Sequence, residues 1–426
     1  MNKQSAQKAS SPRTIAIIGG GVVGAAASLT LSMKGYQVTV FEPDEIGAGT
    51  SSGNAGGIVT GAVLPTATPG VISAIPSYIF DRNSAAVLRP SYFFKILPWL
   101  FRFIASARPA RVASIASDLQ PLVSRAMQAH LSLSEISNAQ HLIKPAGWLK
   151  VYGTDSGFAA TAFDRELMTR HGVNFLVLNA KEIEELEPNL DKAVYKHGIF
   201  QPESGFVNYP KALTQAYFER ARQNGTQHIR EAVVEVKPQS AGSGITVKTK
   251  QGLHVFDSVV VATGAWSKQF AKQCGDTVCL DTERGYHVSF RTGEKQLLNR
   301  PVSFPENHFV LSPMHDGVSM VSGDELAGLS APPDFRRIRA LIPFARKALP
   351  GIAEQQVQRE WMGYRPSTPD SLPVIGRSPR HSNVFYAFGH GHLGLTLSAI
   401  TAQLISSLVS DDPMPFDITP YRINRF

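Results

Sequence analysis

The chain has 426 residues, 43% hydrophobic and 18% charged, a balance that excludes a disordered protein and leaves room for two or three domains. Its formal net charge is +8, yet no block of five consecutive basic residues occurs, which argues against nucleic acid and leaves a weak pull toward anionic substrates or membrane surfaces. Two cysteines, Cys274 and Cys279, exclude a disulfide framework and make a poor metal site, so they read as packed or idle thiols and no metal is expected.

The polar start, MNKQSAQKASSPR, lacks the apolar stretch of a secretory signal; residues 1–13 are expected to be a flexible tail on a cytoplasmic protein. TIAIIGGGVVGAAASLTLSMKGYQVTVFEPD then reads as strand, glycine turn, helix and strand. Gly19 permits the tight turn, Gly21 lets the backbone approach a pyrophosphate, and Gly24 allows close helix–strand contact. The helix start at Val22 and Val23 offers N–H groups and a positive dipole end to phosphates. Glu42 closes the second strand, where a carboxylate accepts hydrogen bonds from ribose hydroxyls and repels a 2′-phosphate. NAD or FAD is expected, and NADP is disfavoured.

The loop IGAGTSSGNAGGI (46–58) is either a linker or a cofactor contact. Its place after the ribose carboxylate, and its donors Ser51, Ser52 and Asn54, favour the far end of a larger cofactor. Residues 92–108, YFFKILPWLFRFIASAR, are broken by Lys95, Pro98 and Arg102 and cannot span a bilayer; the aromatic and basic mixture suits a buried helix or one resting on a membrane surface. NYPKALTQAYFERARQNG reads as a helix capped by Asn208 and stopped by Gly225, and the strand after it places Val233 against an adenine or in the core. VFDSVVVATGAWS is an apolar strand that ends at Ala262, where Gly264 would let the backbone pass close to the cofactor.

GYRPSTPDSLPVIG (363–376) reads as a proline-studded turn carrying one permanent cation, Arg365, either a ligand anchor or the partner of Asp370 or another acid. Near the C-terminus, VFYAFGHGHLGLTLSAITAQLISSLVS gives a strand, a glycine turn and a long apolar helix from about Leu395, so a second helix N-terminus faces an anionic or electron-rich group. His390 and His392, two apart in a turn, rarely converge on one ion.

IIGGGVVG with Glu42, TSSGNAGGI, VVVATGAWS, ERGYHVSF, GYRPSTPDSLPVIG and GHGHLGLT, in this order and spacing, resemble the D-amino-acid oxidase-like family of FAD-dependent amine and amino-acid oxidoreductases, nearest in look to its D-amino-acid dehydrogenase branch and similar also to glycine oxidases and hydroxyproline dehydrogenases. The resemblance implies that Gly19, Gly21, Gly24 and Glu42 hold the ADP half of FAD, that Ser51, Ser52, Asn54, Ala55 and Gly56 line the path to the flavin, and that Gly391, Leu393, Gly394, Leu395 and Thr396 lie at its pyrimidine edge. It implies that Arg365 holds the substrate carboxylate, as a planar fork of donors can. Tyr286 and His287 face opposite sides of a strand; Tyr286 is the choice for a second substrate contact, with core packing as its alternative, and His392 and His308 are further candidates. Related glycine oxidases carry a tyrosine near the position of Val310, a departure that leaves the second contact open. Gly363 stands where some relatives tether FAD through cysteine, so noncovalent FAD is expected.

The fold class expected is α/β. A discontinuous Rossmann-like FAD-binding domain takes residues 14–62, 204–275 and 360–426, and an α+β substrate domain on a mixed or antiparallel sheet takes 63–203 and 276–359. The activity implied is oxidative deamination of a small amino or imino acid, of D-amino acid or hydroxy-D-proline type, with hydride passing from Cα to flavin N5 and electrons to a quinone or other acceptor. An oxygen-using glycine or sarcosine oxidase is the alternative within the class. A noncatalytic flavin-binding subunit of a hetero-oligomer is the alternative outside it, and would not need a carboxylate anchor. Peripheral contact with the inner face of the membrane and oligomerisation stay open.

Overall fold

A computed structural model describes residues 13–70, 86–239, 244–293 and 295–426; the tail expected over 1–13 lies outside them except for Arg13. Its first sheet is six-stranded, in the order β10-β2-β1-β14-β21-β20. The strands are β1 (Thr14–Ile18), β2 (Gln37–Phe41), β10 (Gln227–Ile229), β14 (Ser258–Val261), β20 (Val374–Arg377) and β21 (Val384–Phe388). All pairings are parallel except β20 with β21; Ile15, for example, lies between Val38 and Ser258. Short β-branched runs such as Ile15-Ala16-Ile17 and Val259-Val260-Val261 are fully buried, as a parallel sheet covered on both faces requires. One cover is made by the first helix (Val22–Met33) and the C-terminal helix (Gly394–Ser410).

That cover depends on a missing side chain. A Cβ on Gly24 would lie 2.0 Å from the Gly19 carbonyl oxygen, and one on Gly19, whose φ is +107°, would lie 2.5 Å from the Ala262 oxygen. The helix therefore rests on the turn that starts it, and the turn rests on the end of β14.

The second sheet has nine strands, in the order β19-β15-β18-β17-β16-β6-β8-β7 with β4 alongside β18. These are β4 (Ala86–Leu88), β6 (Trp148–Tyr152), β7 (Leu176–Asn179), β8 (His197–Gln201), β15 (Asp281–Arg291), β16 (Val302–Phe304), β17 (Phe309–Met314), β18 (Gly317–Leu326) and β19 (Val357–Ser367). Most pairs are antiparallel, while β16–β6 and β18–β4 run parallel, so the sheet is mixed. Two small sheets complete the chain: β3 (Gly57–Ile58), β9 (Gly205–Val207) and β5 (Ile143–Lys144), and β11 (Val233–Pro238), β12 (Ile245–Thr249) and β13 (Leu253–Phe256).

Alternation along β15 divides the second sheet into two faces. Tyr286, Val288 and Phe290 enter the core with Ile338 and Ala345 of the helix Arg336–Ala348. Glu283, Gly285 and His287 look the other way, toward the first sheet. Between β15 and β18 the register slips at Arg284/Tyr286, so that Gly323 and Asp324 together oppose Gly285. Gly323 has φ +85°, the left-handed conformation that a glycine-led bulge uses.

Three local expectations change. Residues 363–367 are strand, not turn, because β19 is an edge strand and tolerates Pro366 without a ladder donor. The helix after residue 208 is capped at Tyr209 with Pro210 in its first turn, where proline loses nothing; Asn208 lies one residue outside. The stretch Gly391–Ser410, expected only as a long apolar helix from about Leu395, is long and apolar enough to cross a membrane, but it is mostly buried in the core, with Leu397, Leu404 and Ile405 fully covered. Gly24→Ala should destabilise the protein by about 1–3 kcal/mol through overpacking and leave it short of bound cofactor. Thermal unfolding and visible absorbance of the purified variant check this.

Candidate active site

Four loops meet where the carboxyl ends of β1, β14 and β21 open toward the second sheet. At the Gly19–Gly24 turn, the Val22 N–H donates to Ser51 Oγ (2.9 Å), so the first helix and the 46–58 loop are joined at the helix N-terminus. Glu42 Oε2 accepts from the Gly20 N–H (2.8 Å) and Oε1 from the Asp44 N–H (3.2 Å), which fixes the carboxylate beside the turn. Val23 is half-buried on the main core beside it. Asn54 folds the loop on itself, donating to the Ser51 carbonyl and accepting from the Gly56 N–H (2.8 Å each). Ser52 turns its hydroxyl back onto its own loop, within donating distance of Gly49 O (3.0 Å) and Ala48 O (3.1 Å). Ala55 gives its carbonyl to Ser312 Oγ (2.9 Å), and Gly56, with φ +73°, presses within 2.4 Å of the Val207 oxygen where its Cβ would be.

The C-terminal turn closes on the same loop. Thr396 Oγ1 donates to Gly57 O (3.0 Å) and accepts from the Val59 N–H (3.3 Å). Gly391 has φ +51°, Leu393 N–H bonds back to His390 O (2.8 Å), and Gly394 opens the helix. The Leu395 carbonyl is held by buried His130 (2.8 Å). Ala262 and Gly264, the latter with φ +55°, border the turn from β14, whereas Val233 starts β11 and is half-buried against the core under β14. His390 and His392 diverge: His390 Nε2 meets Thr401 Oγ1 (3.0 Å), and burial pushes its pKa down to about 3.

The glycine turn, the helix N-termini and the carboxylate of Glu42 suit a dinucleotide, since a side chain at Gly19 or Gly24 would close the cradle they make. The loop beyond Glu42 is long enough in donors and backbone to carry a cofactor past its ribose, which favours FAD.

Opposite this cradle stands a charged cluster from three strands and the C-terminal turn. Arg365 pairs across β15 with Glu283, and its guanidinium lies flat on Gly285: a Cβ there would be 2.2 Å from Nη2 and 2.4 Å from Cζ. Nη1 donates to Gly323 O (2.7 Å) and to Asp324 Oδ1 (2.5 Å), while Nε and Nη2 have no acceptor among the described residues. The ion-pair partner is thus Asp324; Asp370, the acid named from sequence, is taken by Arg425 (2.9 Å). Thr50 ties the anchor strand to the cofactor loop by bonding both the carbonyl (3.0 Å) and the N–H (3.2 Å) of Tyr364.

His392 Nε2 lies 2.9 Å from Glu283 Oε2 and 3.5 Å from Asp324 Oδ1. Burial opposes a charge on this imidazole, but Asp324 and Glu283 outweigh burial and Arg365 and raise its pKa. Burial would raise the Glu283 carboxyl, yet the His392 bond and charge, the Ser367 hydroxyl (2.9 Å) and Arg365 hold it below its ordinary range. Both shifts favour the charged forms of the pair. Glu283, Asp324 and His392 have ligand atoms within 4.8 Å of one another, but Arg365 already supplies the cation in their midst.

Tyr286 does not join this cluster. It points to the opposite face, its hydroxyl donates to Glu325 Oε2 (2.5 Å) and accepts from the Asp334 N–H (3.1 Å), and burial with that carboxylate raises its pKa to about 12. His287 occupies the inward face instead, stacked on Trp361 with Nδ1 on the Gly53 carbonyl (2.9 Å). His308, exposed at a left-handed turn with φ +58°, borders Asp324 without a side-chain hydrogen bond. Gly285, Glu283 and Asp324 are the functional residues that sequence reasoning missed. Glu283 stood in the ERGYHVSF motif, but only strand register shows what it meets.

A glycine-turn cradle facing a half-buried cation is the arrangement of a nucleotide-binding protein with room for an anion beside the nucleotide. The comparisons are specific: residues 14–408 match the family model described as FAD dependent oxidoreductase (DAO), and the chain belongs to that family. It is 33% identical over 420 residues to a D-amino-acid oxidase of Bradyrhizobium diazoefficiens, covering 97% of this chain and 99% of that protein. It is 28% identical over 421 residues to a D-amino acid dehydrogenase of Agrobacterium fabrum, with 97% and 99% covered. The solved glycine oxidase of Geobacillus kaustophilus shares the fold with a TM-score of 0.77 at 23% identity, covering 97% of this chain and 99% of that one. FAD is the cofactor, and the protein is an oxidoreductase.

Gly285→Ala should displace the Arg365 guanidinium and lower kcat/KM by about 10–100-fold while FAD stays bound. Tyr286→Phe should leave KM within about twofold and cost about 1–3 kcal/mol of stability, since it loses the hydroxyl's bonds to Glu325 and to the Asp334 N–H. Steady-state kinetics with a flavin count and a melting curve on both variants test these outcomes.

Proposed function

We propose that the protein oxidatively deaminates a small amino or imino acid, of the D-amino acid or hydroxy-D-proline type. The observation that carries this is the free edge of Arg365: one side of the fork is spent on Gly323 and Asp324, and Nε with Nη2 is left to grip a carboxylate through two bonds. FAD, when bound, supplies the acceptor for the hydride that leaves the substrate Cα. Arg365 contributes orientation, since a carboxylate held at two points presents one face of Cα toward the cradle. Water then hydrolyses the imine to a keto acid, or a cyclic substrate leaves as a pyrroline. The names of the D-amino-acid oxidase and dehydrogenase relatives support an amino acid substrate.

A quinone as electron acceptor, reached at the membrane surface, is favoured over oxygen by one feature. The helix Phe93–Ser106 buries Ile96, Trp99 and Phe103 and turns Phe94 (83% exposed) and Phe101 (67% exposed) outward, seven residues apart on one face. Lys95, Arg102 and Arg108 flank them, and no acidic residue occurs from 86 to 117. That is the composition of a helix lying in a bilayer interface with anionic headgroups. Noncovalent FAD follows from glycine at position 363.

The yellow protein should bleach without oxygen on addition of a matching amino acid from a panel of D, L, N-methyl and cyclic compounds; no bleaching by any of them contradicts the reading. Arg365→Ala should cut kcat/KM by about 10²–10³ (about 3–4 kcal/mol) with FAD retained. Wild type should float with vesicles containing phosphatidylglycerol and the double variant Phe94→Ser/Phe101→Ser should not, while equal flotation removes the membrane role.

A further inference from the structure

We propose that Asp324 receives the amino group of the substrate, so that the site selects zwitterions over simple carboxylates. This rests on Arg365 being the carboxylate anchor. The bulge opposite Gly285 is the device: with an extra residue in β18, Asp324 is turned onto the face of Arg365, while its neighbour Glu325 stays on the buried face with Tyr286 and Arg89.

Of the described carboxylates near the guanidinium, only Asp324 has an oxygen without a donor. Glu325 is bonded by Arg89 Nε and the Tyr286 hydroxyl (2.5 Å each). Glu283 gives one oxygen to Ser367 and the other to His392, and its side chain is 7% exposed. Asp324 shares Oδ1 with Arg365 Nη1, keeps Oδ2 without a protein donor among the described residues, and has 33% of its side chain open.

Geometry and charge agree. In an α-amino acid the nitrogen is attached to the carbon that bears the carboxylate. A carboxylate on the Nε–Nη2 edge therefore brings that nitrogen toward an acid already bonded to Nη1. Arg365 lies between two acids, with Asp324 on Nη1 and Glu283 opposite it in the strand pair, and His392 reaches both carboxylates. A carboxylate arriving alone adds a negative charge to a half-buried place that already holds two acids, and an ammonium arriving with it cancels that added charge.

The test uses oxidised holoenzyme and two ligands that cannot be oxidised for want of a Cα hydrogen. They are 2-aminoisobutyrate and pivalate, in which a methyl replaces the ammonium. Dissociation constants come from the shift of the FAD spectrum. Wild type should bind 2-aminoisobutyrate about 10–100-fold more tightly than pivalate, the effect of a charge-assisted hydrogen bond. In the near-isosteric Asp324→Asn the preference should shrink below about threefold, with pivalate gaining affinity because Asp324 no longer competes for Arg365. Equal binding of the two ligands to wild type overturns the proposal, as does an unchanged ratio in a variant that keeps its FAD and its melting temperature. Arg365→Ala separates the two readings. Loss of both ligands there, with the ratio unmoved in Asp324→Asn, leaves the anchor standing and removes Asp324. No loss of either ligand removes the anchor and Asp324 with it.

Discussion

The guanidinium of Arg365 lies flat against the backbone of Gly285, and the site is arranged around that contact. No residue but glycine leaves room for it, because any Cβ would stand inside the van der Waals radius of Nη2 and Cζ. Once the plane is laid down there, Nη1 falls on the Gly323 carbonyl and on Asp324, which the bulge in β18 supplies together. The remaining edge of the fork is kept in place by bonds it does not itself make. Such preorganisation removes the ordering cost from the moment of binding, the condition under which a single cation orients a small ligand well.

A half-buried cation needs partners, and Arg365 has two acids beside it in Asp324 and Glu283. His392 joins them from the turn that starts the C-terminal helix, held by Glu283, whose other oxygen accepts from Ser367. The same turn bonds the cofactor loop through Thr396, and Thr50 bonds that loop to the anchor strand. The glycine-turn cradle and Arg365 are thus parts of one hydrogen-bonded assembly, although they come from sheets of different design. In the parallel sheet the functional groups lie in loops at strand ends. In the mixed sheet they lie on a strand face, where alternation assigns Tyr286 to packing and its neighbours to the site.

What could be read in the sequence was local. The strand, glycine turn and helix of residues 14–33, with Glu42 beyond, follow from patterns within a few dozen residues, and so does the turn at Gly391. Arg365 was legible as a cation out of place. Glu283 and Asp324 were not, since their meaning depends on pairing between strands 40 and 80 residues apart and on a one-residue slip that no local signal marks. Tyr286 was misassigned for a related reason: the sequence shows that it opposes His287, but the helix Arg336–Ala348, more than 45 residues on, decides which face is core. The prolines of residues 363–376 suggested a turn where an edge strand tolerates them.

The central claim is that a carboxylate occupies the open edge of Arg365. A crystal structure of the FAD-loaded protein soaked with 2-aminoisobutyrate addresses it directly. The ligand carboxylate is expected within hydrogen-bond distance of both Nε and Nη2, above Gly285, with its nitrogen turned to Asp324. A ligand bound elsewhere in the cavity, with that edge of Arg365 still empty, would contradict it.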